Sequence, residues 1–331
     1  MAASQASSRT ALVTGATGFL GSHVARALAD AGWRVLALQR GEADTALLEG
    51  TPVTAVEADV LDHAGLDAAV PQTVDLIVHC ASHVSLWRRN GPEQLRVNVR
   101  GTRNIVRLAL ARRARLIHVS CAVAYGQHSG VIAPDTPRLG RNSSITFVRS
   151  KAMAETEVER GMRAGLDAVI LNPAFLLGPR DRNGWSRMVR LVAQRRLPGV
   201  PGGGGSFCSV TDVAAAVPRA AETLNRGTRL LIGGVNVSYA GLAREIGTQL
   251  GHRRFLRPVR SGILQAYARL EEGVAPLLGR DPDVTTEAVS LLTGNVYCDA
   301  RQAREQLGMA EVSLERMVAD CIAWMREAGR L

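Results

Sequence analysis

The fold of this chain is decided by a glycine-rich stretch, TGATGFLG at residues 14–21, which follows the apolar run ALV at residues 11–13. The segment SHVARAL at residues 22–28 continues it with helical spacing. This order predicts a β-strand, a tight turn and an α-helix. Glycines have no Cβ and let the backbone approach a phosphate, which the free N–H groups of a helix N-terminus attract. We therefore predict a phosphate-binding turn, formed by Gly15, Thr17, Gly18, Phe19, Leu20 and Gly21.

The composition predicts a large folded protein. With 331 residues and 46% hydrophobic content, the chain can bury the core of one large α/β unit with a smaller appended region. Its five cysteines are scattered without a C-x-x-C pair, so we expect reduced thiols, no disulfide framework and no metal site. Residues 1–9 lack a leader pattern and no apolar run matches a bilayer span, so we expect a cytoplasmic protein without a membrane partner.

Almost all of the Lys and Arg residues of the chain are arginines. The net charge is +10, but the arginines are spread along the sequence without a recognised nucleic-acid-binding module, so we expect no nucleic-acid partner. Lysine occurs once, at Lys151. A single lysine in a chain that otherwise uses arginine indicates a specific role for its amine.

Short apolar runs alternate with helical segments over the first part of the chain. They are WRVLAL at residues 33–38, VTAV at 53–56, TVDLIVH at 73–79, LIHVS at 116–120, AVIL at 168–171 and LLI at 230–232. This alternation predicts an α/β fold with a doubly wound parallel sheet of the Rossmann type. One long helix is expected from about residue 94 to 113, and the four glycines at 202–205 predict a mobile loop.

These patterns also predict how the chain is divided. The Rossmann domain is expected to comprise residues 9–171 with 209–233. A smaller, mostly helical substrate-binding region is expected to comprise residues 172–208 with 234–331, and the cleft should lie between the two.

The end of the second strand predicts which cofactor binds. Sites for NAD place an acidic residue there for the ribose hydroxyls, whereas this chain has Gln39 followed by Arg40, which suits a 2′-phosphate. We therefore expect NADP(H), the alternative being that Arg40 is a surface charge at a strand end. Asp59 is a candidate acceptor for the adenine amino group. A cofactor can also cross the small residues that follow the fourth strand, Cys80, Ala81 and Ser82.

At this point the chain resembles the extended short-chain dehydrogenase/reductase family, which includes nucleotide-sugar epimerases, dihydroflavonol reductases and hydroxysteroid dehydrogenases. The resemblance spans nearly the whole chain and is carried by TGATGFLG (14–21), ADV (58–60), HCA (79–81), NVRGT (98–102), SCAVAYG (120–126), Lys151, NP (172–173), GP (178–179), VTDV (210–213) and QLG (306–308). It implies that Arg40 meets the 2′-phosphate. It also implies adenine contacts from Asp59 and Val60 and nicotinamide contacts from Pro173, Ala174 and Phe175.

The chain departs twice from the catalytic pattern of that family. Members use a Ser or Thr, a Tyr and a Lys, with the tyrosine four residues before the lysine. Counting back from Lys151 gives Phe147, and Cys121 stands where the substrate-polarising serine is usual, next to Ser120. General acid catalysis contributes about 10² to 10⁴ in rate. The resemblance therefore gives Lys151, Cys121, Ser120 and Phe147 as the catalytic positions, with no conventional proton donor.

Several explanations fit this departure. The chain could be an inactivated variant at Phe147 or a non-catalytic NADP(H)-binding sensor. A nucleotide-sugar epimerase or dehydratase is the alternative enzyme, although epimerases of the family use the tyrosine that is absent here. The remaining explanation is a reductase with another proton source. The last is favoured, because the pattern resembles atypical ketoreductases of antibiotic biosynthesis that act on angucyclinone-like aromatic polyketides. An aromatic ketone with a neighbouring phenol can bring its own proton, or water can supply it. The expected partner is then a small aromatic ketone, and the oligomeric state is open.

Overall fold

The computed structural model describes residues 9–197, 199–252 and 258–331. Its strands are β1 (Thr10–Thr14), β2 (Arg34–Gln39), β3 (Val53–Glu57), β4 (Leu76–His79), β5 (Arg115–Val119), β6 (Val131–Ile132), β7 (Ala168–Pro173), β8 (Phe175–Leu177), β9 (Gly204–Ser209), β10 (Arg229–Ile232), β11 (Val235–Ser238) and β12 (Asn295–Cys298). Its α-helices are α1 (Phe19–Asp30), α2 (His63–Ala69), α3 (Gly91–Leu95), α4 (Thr102–Arg112), α5 (Thr146–Arg163), α6 (Ser186–Ala193), α7 (Val210–Thr223), α8 (Tyr239–Gln249), α9 (Ser261–Val274), α10 (Thr286–Leu292), α11 (Arg301–Leu307) and α12 (Leu314–Glu327).

Seven parallel strands form the main sheet, in the order β10-β7-β5-β4-β1-β2-β3. The order reverses at β1, as in a doubly wound fold, so the prediction of a Rossmann-type α/β sheet is confirmed. The central strand β1 shows why both faces are covered. Ala11 and Val13 pack into the core that α1 and α7 close, and Leu12 packs into the core that α4 closes on the opposite face. Alternate residues of a strand point to opposite faces, so a run without polar residues needs helices on both sides.

A second sheet of five strands joins the segments that follow the Rossmann strands. Its strands run β11-β9-β12-β6, and β8 pairs with β9. The loop predicted at residues 202–205 is therefore wrong for Gly204 and Gly205, which begin β9. A Cβ at Gly204 would lie 2.8 Å from the Val237 carbonyl oxygen, and a Cβ at Gly205 would overlap the Phe175 ring. These glycines serve close packing in a sheet.

The helix expected from residue 94 to 113 is interrupted. Residues Arg96–Gly101 form a π-helical turn between α3 and α4. Such turns are rare and frequently occur at functional sites. This one carries Asn98, and Arg113, just after α4, takes a left-handed conformation with φ +54°.

The smaller region has its own apolar core, built from α6, α8 and α12 with β8 and β9. Most of its regular structure is helical, as predicted, and it also supplies β8, β9, β11 and β12 of the second sheet. The domain limits drawn from the sequence stay a prediction. Among the described residues, no helix combines the length and the apolar character needed to cross a bilayer.

Candidate cofactor and catalytic site

The backbone of the glycine-rich turn packs so closely against neighbouring backbone atoms that a side chain with a Cβ does not fit there. Gly15 has φ +67°, and a Cβ there would lie 2.7 Å from the Ala81 amide nitrogen at the end of β4. A Cβ at Gly21 would overlap the Gly15 carbonyl oxygen. Gly18 precedes α1, which has no side-chain cap hydrogen bond and no acidic residue in its first turn. The first N–H groups of α1 therefore stay available for an anion, as a dinucleotide pyrophosphate requires.

A buried histidine ties this turn to the neighbouring strand and helix. Thr102 donates its hydroxyl hydrogen to the Asn98 carbonyl at 2.6 Å, so it accepts from His79 Nε2 at 3.0 Å. The other ring nitrogen, Nδ1, then accepts from the Thr14 hydroxyl at 2.7 Å, and the Thr14 oxygen accepts from the Ala81 N–H at 3.2 Å. Burial, with a further contribution from the charge of Lys151, lowers the pKa of His79 to about 3. The ring is therefore neutral and acts as a fixed connector.

Asn98 fixes the segment that follows β4. Its side-chain oxygen accepts from the His83 N–H at 2.7 Å and the Ser82 hydroxyl at 3.1 Å. Its amide nitrogen donates to the His83 carbonyl at 3.0 Å and to the Ser150 hydroxyl oxygen at 2.9 Å. Ser150 lies on α5, so one buried amide joins the loop beyond β4 to the helix that carries Lys151. All four of these hydrogen bonds are internal, so Asn98 has a structural role.

Lys151 and Phe147 lie one helical turn apart on α5. The Lys151 side chain is buried, and its Nζ donates to the Val119 carbonyl at the end of β5, at 3.1 Å. Phe147 is half-buried and packs against the main apolar core. The phenyl ring has no proton to give, and the Lys151 amine lies at the carboxyl end of β5.

The Cys121 thiol is half-buried beside this lysine. Burial raises its pKa to about 11, although the charge of Lys151 acts in the opposite direction. The thiol is therefore protonated at neutral pH and can polarise a carbonyl only as a weak hydrogen-bond donor. Burial similarly raises the pKa of Cys80 to about 12, so neither thiol is a reactive nucleophile.

Ser120 belongs to a buried network. Its hydroxyl donates to Glu155 Oε1, which also accepts from Asn172 Nδ2 at 2.6 Å. Asn172 Nδ2 also donates to the Cys121 carbonyl at 3.0 Å, and Arg229 forms an ion pair with Glu155 Oε2. The Ser120 proton is thus committed to a carboxylate. The sequence reasoning missed Glu155, which stands one helical turn after Lys151 on the same face.

The adenine end of the site holds charges of both signs. Arg40 follows β2, is exposed and forms no salt bridge within the described ranges. The pKa of Glu93 is lowered first by its hydrogen bond with Arg96 and also by the charge of Arg40, so this carboxylate lies within electrostatic reach of Arg40.

Glu57, which the sequence reasoning did not consider, ends β3 in register with Gln39, and its Oε1 lies 2.6 Å from where a Gly41 Cβ would stand. Asp59 Oδ1 accepts from the Leu61 N–H at 2.8 Å.

Val60 is buried and packs close to Gly101, where a Cβ would lie 3.0 Å from Val60 Cγ2. Nothing in these contacts conflicts with the adenine positions that the resemblance implies for Asp59 and Val60.

The nicotinamide end leads into the smaller region. Pro173 ends β7, and Ala174 is held by its N–H bond to the Ile232 carbonyl at 2.9 Å. The half-buried ring of Phe175 lies 5.2 Å from the Trp185 ring and 5.7 Å from the Phe207 ring, measured between centroids. Phe175 is therefore anchored in the core of the smaller region, so the two parts of the chain meet beside the expected nicotinamide position.

The strand register brings these residues to one edge of the sheet. Thr14 is paired with His79, and His79 with His118, so β1, β4 and β5 end side by side with Lys151 above them. Binding outside the carboxyl ends of parallel strands is the rule for such sheets. Within the described ranges, no group of three or more His, Cys, Asp or Glu residues could hold a metal ion.

Residues 11–233 match the model of the NAD dependent epimerase/dehydratase family. The chain belongs to this family. The crystal structure of gox2253, 30% identical, superposes with a TM-score of 0.85 and covers 97% of this chain and 99% of that one. Family membership and this likeness agree with the observed order of the parallel strands.

Two relatives of the family span almost the same length. Sterol demethylase protein B of Methylococcus capsulatus is 30% identical over 97% of this chain and 100% of its own. The 4-hydroxy-2-methyl-3-oxo-4-farnesyl-3,4-dihydroquinoline-1-oxide ketoreductase of Stigmatella aurantiaca is 26% identical over 96% of this chain and 97% of its own. The family thus includes oxidoreductases, and a ketoreductase is among the relatives.

Proposed function

We propose that the protein is an NADPH-dependent ketoreductase that acts in the cytoplasm on a ketone of an aromatic polyketide of the angucyclinone type, in antibiotic biosynthesis. One observation carries the proposal. Lys151 is buried at the end of β5, near the strand ends where the glycine turn lies, whereas the position four residues before it is the phenyl ring of Phe147. Such a site suits a substrate that brings its own acidic hydroxyl.

In this proposal the residues of the chain bind and orient the cofactor and the substrate, but they do not protonate the substrate oxygen. The turn at Gly15, Gly18 and Gly21 fits a pyrophosphate, since a Cβ at Gly15 or Gly21 would meet backbone atoms. Lys151, held by the Val119 carbonyl, has N–H groups left for the ribose hydroxyls. Bound NADPH would supply the hydride. The protonated Cys121 thiol can donate a weak hydrogen bond to the carbonyl oxygen, and the buried Glu155 network keeps the Cys121 backbone in place.

The substrate completes the reaction. Addition of the hydride that the bound cofactor would supply to the carbonyl carbon would leave the electron pair of the C=O bond on oxygen. A phenol on the neighbouring position gives its proton to that oxygen, and the phenolate is reprotonated by solvent. The proton passes from the phenol to the carbonyl oxygen of the same substrate molecule. The enzyme therefore contributes positioning and charge stabilisation, which are enough for large rate effects.

Arg40 supports NADPH as the cofactor, because its exposed guanidinium follows β2, forms no salt bridge among the described residues and is complementary in charge and geometry to a 2′-phosphate. The Glu57 carboxylate near Gly41 opposes this preference, because its negative charge would repel a 2′-phosphate. The predicted preference for NADPH is therefore moderate rather than absolute.

Turnover separates this function from the other candidates. We would follow NADPH consumption with a panel of aromatic polyketide, flavonoid and steroid ketones and nucleotide-sugars. The proposal expects consumption with polyketide ketones that carry a neighbouring phenol, loss of it in Lys151→Met, and most of it retained in Cys121→Ala. Tight NADPH binding without turnover on any ketone would instead make the protein a sensor, and conversion of a nucleotide-sugar without net NADPH loss would make it an epimerase.

A further inference from the structure

The helix that carries Lys151 begins without a cap of its own. Ile145 precedes α5 and offers no side-chain hydrogen bond, and the first turn contains no acidic residue. The first N–H groups of a helix have no partner inside the helix, and a preceding polar side chain usually binds one of them. Thr146, the first residue of α5, is only 5% exposed. Its N–H therefore needs a partner from another part of the chain.

Glu287 of α10 is that partner. Its Oε2 accepts from the Thr146 N–H at 3.1 Å, and its Oε1 accepts from the Thr146 hydroxyl at 2.8 Å. Glu287 is 3% exposed, and the exposed Arg88 guanidinium lies 3.8 Å from its Oε1. A negative charge is favoured at the N-terminal end of a helix, where the helix dipole is positive. Glu287 therefore caps α5 from a helix that lies 141 residues further along the chain.

α10 also contacts the two loops that follow β4 and β5. Thr285, the N-cap of α10, donates its hydroxyl hydrogen to the Leu86 carbonyl beyond β4. Gln127, beyond β5, donates from Nε2 to the Ser290 carbonyl of α10 at 2.8 Å. α10 thus joins the segment after β4, the segment after β5 and the beginning of α5, and all three contribute residues to the candidate site.

A shift in the first turn of α5 would move Phe147 more than Lys151. Phe147 directly follows Thr146, whose two bonds to Glu287 fix the turn. Lys151 lies five residues further on than Thr146, and the Val119 carbonyl holds its amine separately. Loss of Glu287 would therefore displace the phenyl ring and leave the lysine amine in place.

We propose that Glu287 is a positioning residue for the reduction, because it fixes the first turn of α5 and thereby the Phe147 ring beside the substrate ketone. The inference rests on the proposed ketone reduction. A misplacement of about 1 Å in a reacting geometry can cost about 10²-fold in rate. Glu287 therefore affects the rate of hydride transfer and not the binding of the cofactor, which depends on Lys151 and the glycine turn.

The chain offers a matched control for this contact. Glu272 of α9 binds Thr286 through the same groups: a carboxylate oxygen accepts from the Thr286 N–H at 3.1 Å, and its two oxygens accept from the hydroxyl at 3.2 and 3.1 Å. No hydrogen bond within the described residues joins Glu272 to α5. Glu272→Ala therefore removes the same kind of contact without freeing α5. In Glu287→Gln, an amide oxygen remains to accept from the Thr146 N–H.

Hydrogen exchange of the whole protein tests the hold on α5. In Glu287→Ala, the amide hydrogens of residues 145–149 should exchange about tenfold faster than in the wild type, because a buried donor loses its partner. In Glu272→Ala, they should exchange at the wild-type rate. Unchanged exchange of these amides in Glu287→Ala overturns the inference, whatever reaction the protein catalyses.

Single-turnover NADPH oxidation with an aromatic ketone that carries a neighbouring phenol tests the effect on the reaction. Glu287→Ala should react about tenfold more slowly or worse at saturating ketone, with the NADPH Kd unchanged, because the ring and not the cofactor site is displaced. Glu287→Gln should regain most of the rate, and Glu272→Ala should keep it.

The outcomes separate this inference from the proposed function. A wild-type protein that reduces no ketone overturns the proposed function, and with it the role of Glu287 in reduction. A wild-type protein that reduces the ketone no faster than Glu287→Ala overturns this inference alone. Equal slowing in Glu287→Ala and Glu272→Ala also overturns it, because the effect would then come from a general loosening of α9 and α10.

Discussion

Replacing Glu155 with glutamine should destabilise the protein strongly. The Glu155 side chain is 5% exposed and forms an ion pair with Arg229, which is 16% exposed. Removing one partner of a buried pair costs about 3–5 kcal/mol, because the remaining charge is left desolvated. Arg229 keeps a second partner, Glu159, at 2.8 Å, so we place the loss at the lower end, about 3 kcal/mol of unfolding free energy. That is a large fraction of the stability of an ordinary protein, about 5–15 kcal/mol.

The measurement is urea unfolding at pH 7, followed by circular dichroism, with Glu159→Gln as the matched control on the same helix. Glu159 is 29% exposed and shares Arg229 with Glu155, so its replacement should cost less than about 1 kcal/mol. The slope of the unfolding free energy against urea should be unchanged in both variants. Equal losses in the two variants would refute the argument that the buried position of Glu155 sets its importance.

Three further predictions concern the cofactor, the turn and pH. Measured by calorimetry, Arg40→Ala should weaken NADPH binding with little effect on NADH binding, and Glu57→Gln should strengthen NADPH binding. Stronger NADPH binding in Arg40→Ala and weaker NADPH binding in Glu57→Gln would rule out the 2′-phosphate assignment. Gly21→Ala should lose measurable cofactor binding, because its Cβ would overlap the Gly15 carbonyl oxygen. The pKa of His79 is about 3 in the fold against 6.5 for the free side chain, so the unfolded chain binds the extra proton between these values. The unfolding free energy should therefore fall as pH drops below 6.5, by about 1.4 kcal/mol per unit for this residue, and His79→Gln should show a shallower fall.

The parts of the fold predicted from sequence are those that local pattern determines. Apolar runs such as ALV at residues 11–13 form buried parallel strands, and the turn at 14–21 needs glycine because two backbones approach there. The strand at Gly204 and Gly205 was missed because glycine-rich segments usually form loops, and here cross-strand pairing and the Phe175 ring determine the conformation.

The same distinction applies to the candidate site, where some residues follow from local sequence pattern and others depend on tertiary contacts. Lys151 and the glycine turn follow from motif spacing. Glu155 was missed because its importance depends on Arg229, 74 residues away in sequence, which only the tertiary structure brings into contact. The π-helical turn around Asn98 was missed because its residue types do not differ from those of an α-helix.

In the proposed reaction the substrate, and not the chain, protonates the alkoxide. The most direct measurement compares single-turnover NADPH oxidation for an aromatic polyketide ketone with a free neighbouring phenol and for its methyl ether, on wild type, Cys121→Ala and Phe147→Tyr. We expect similar binding of both ketones, far slower reduction of the methyl ether, little effect of Cys121→Ala and no large gain from Phe147→Tyr. Normal reduction of the methyl ether by wild type, together with its loss in Cys121→Ala, would contradict the account and make the thiol the acid.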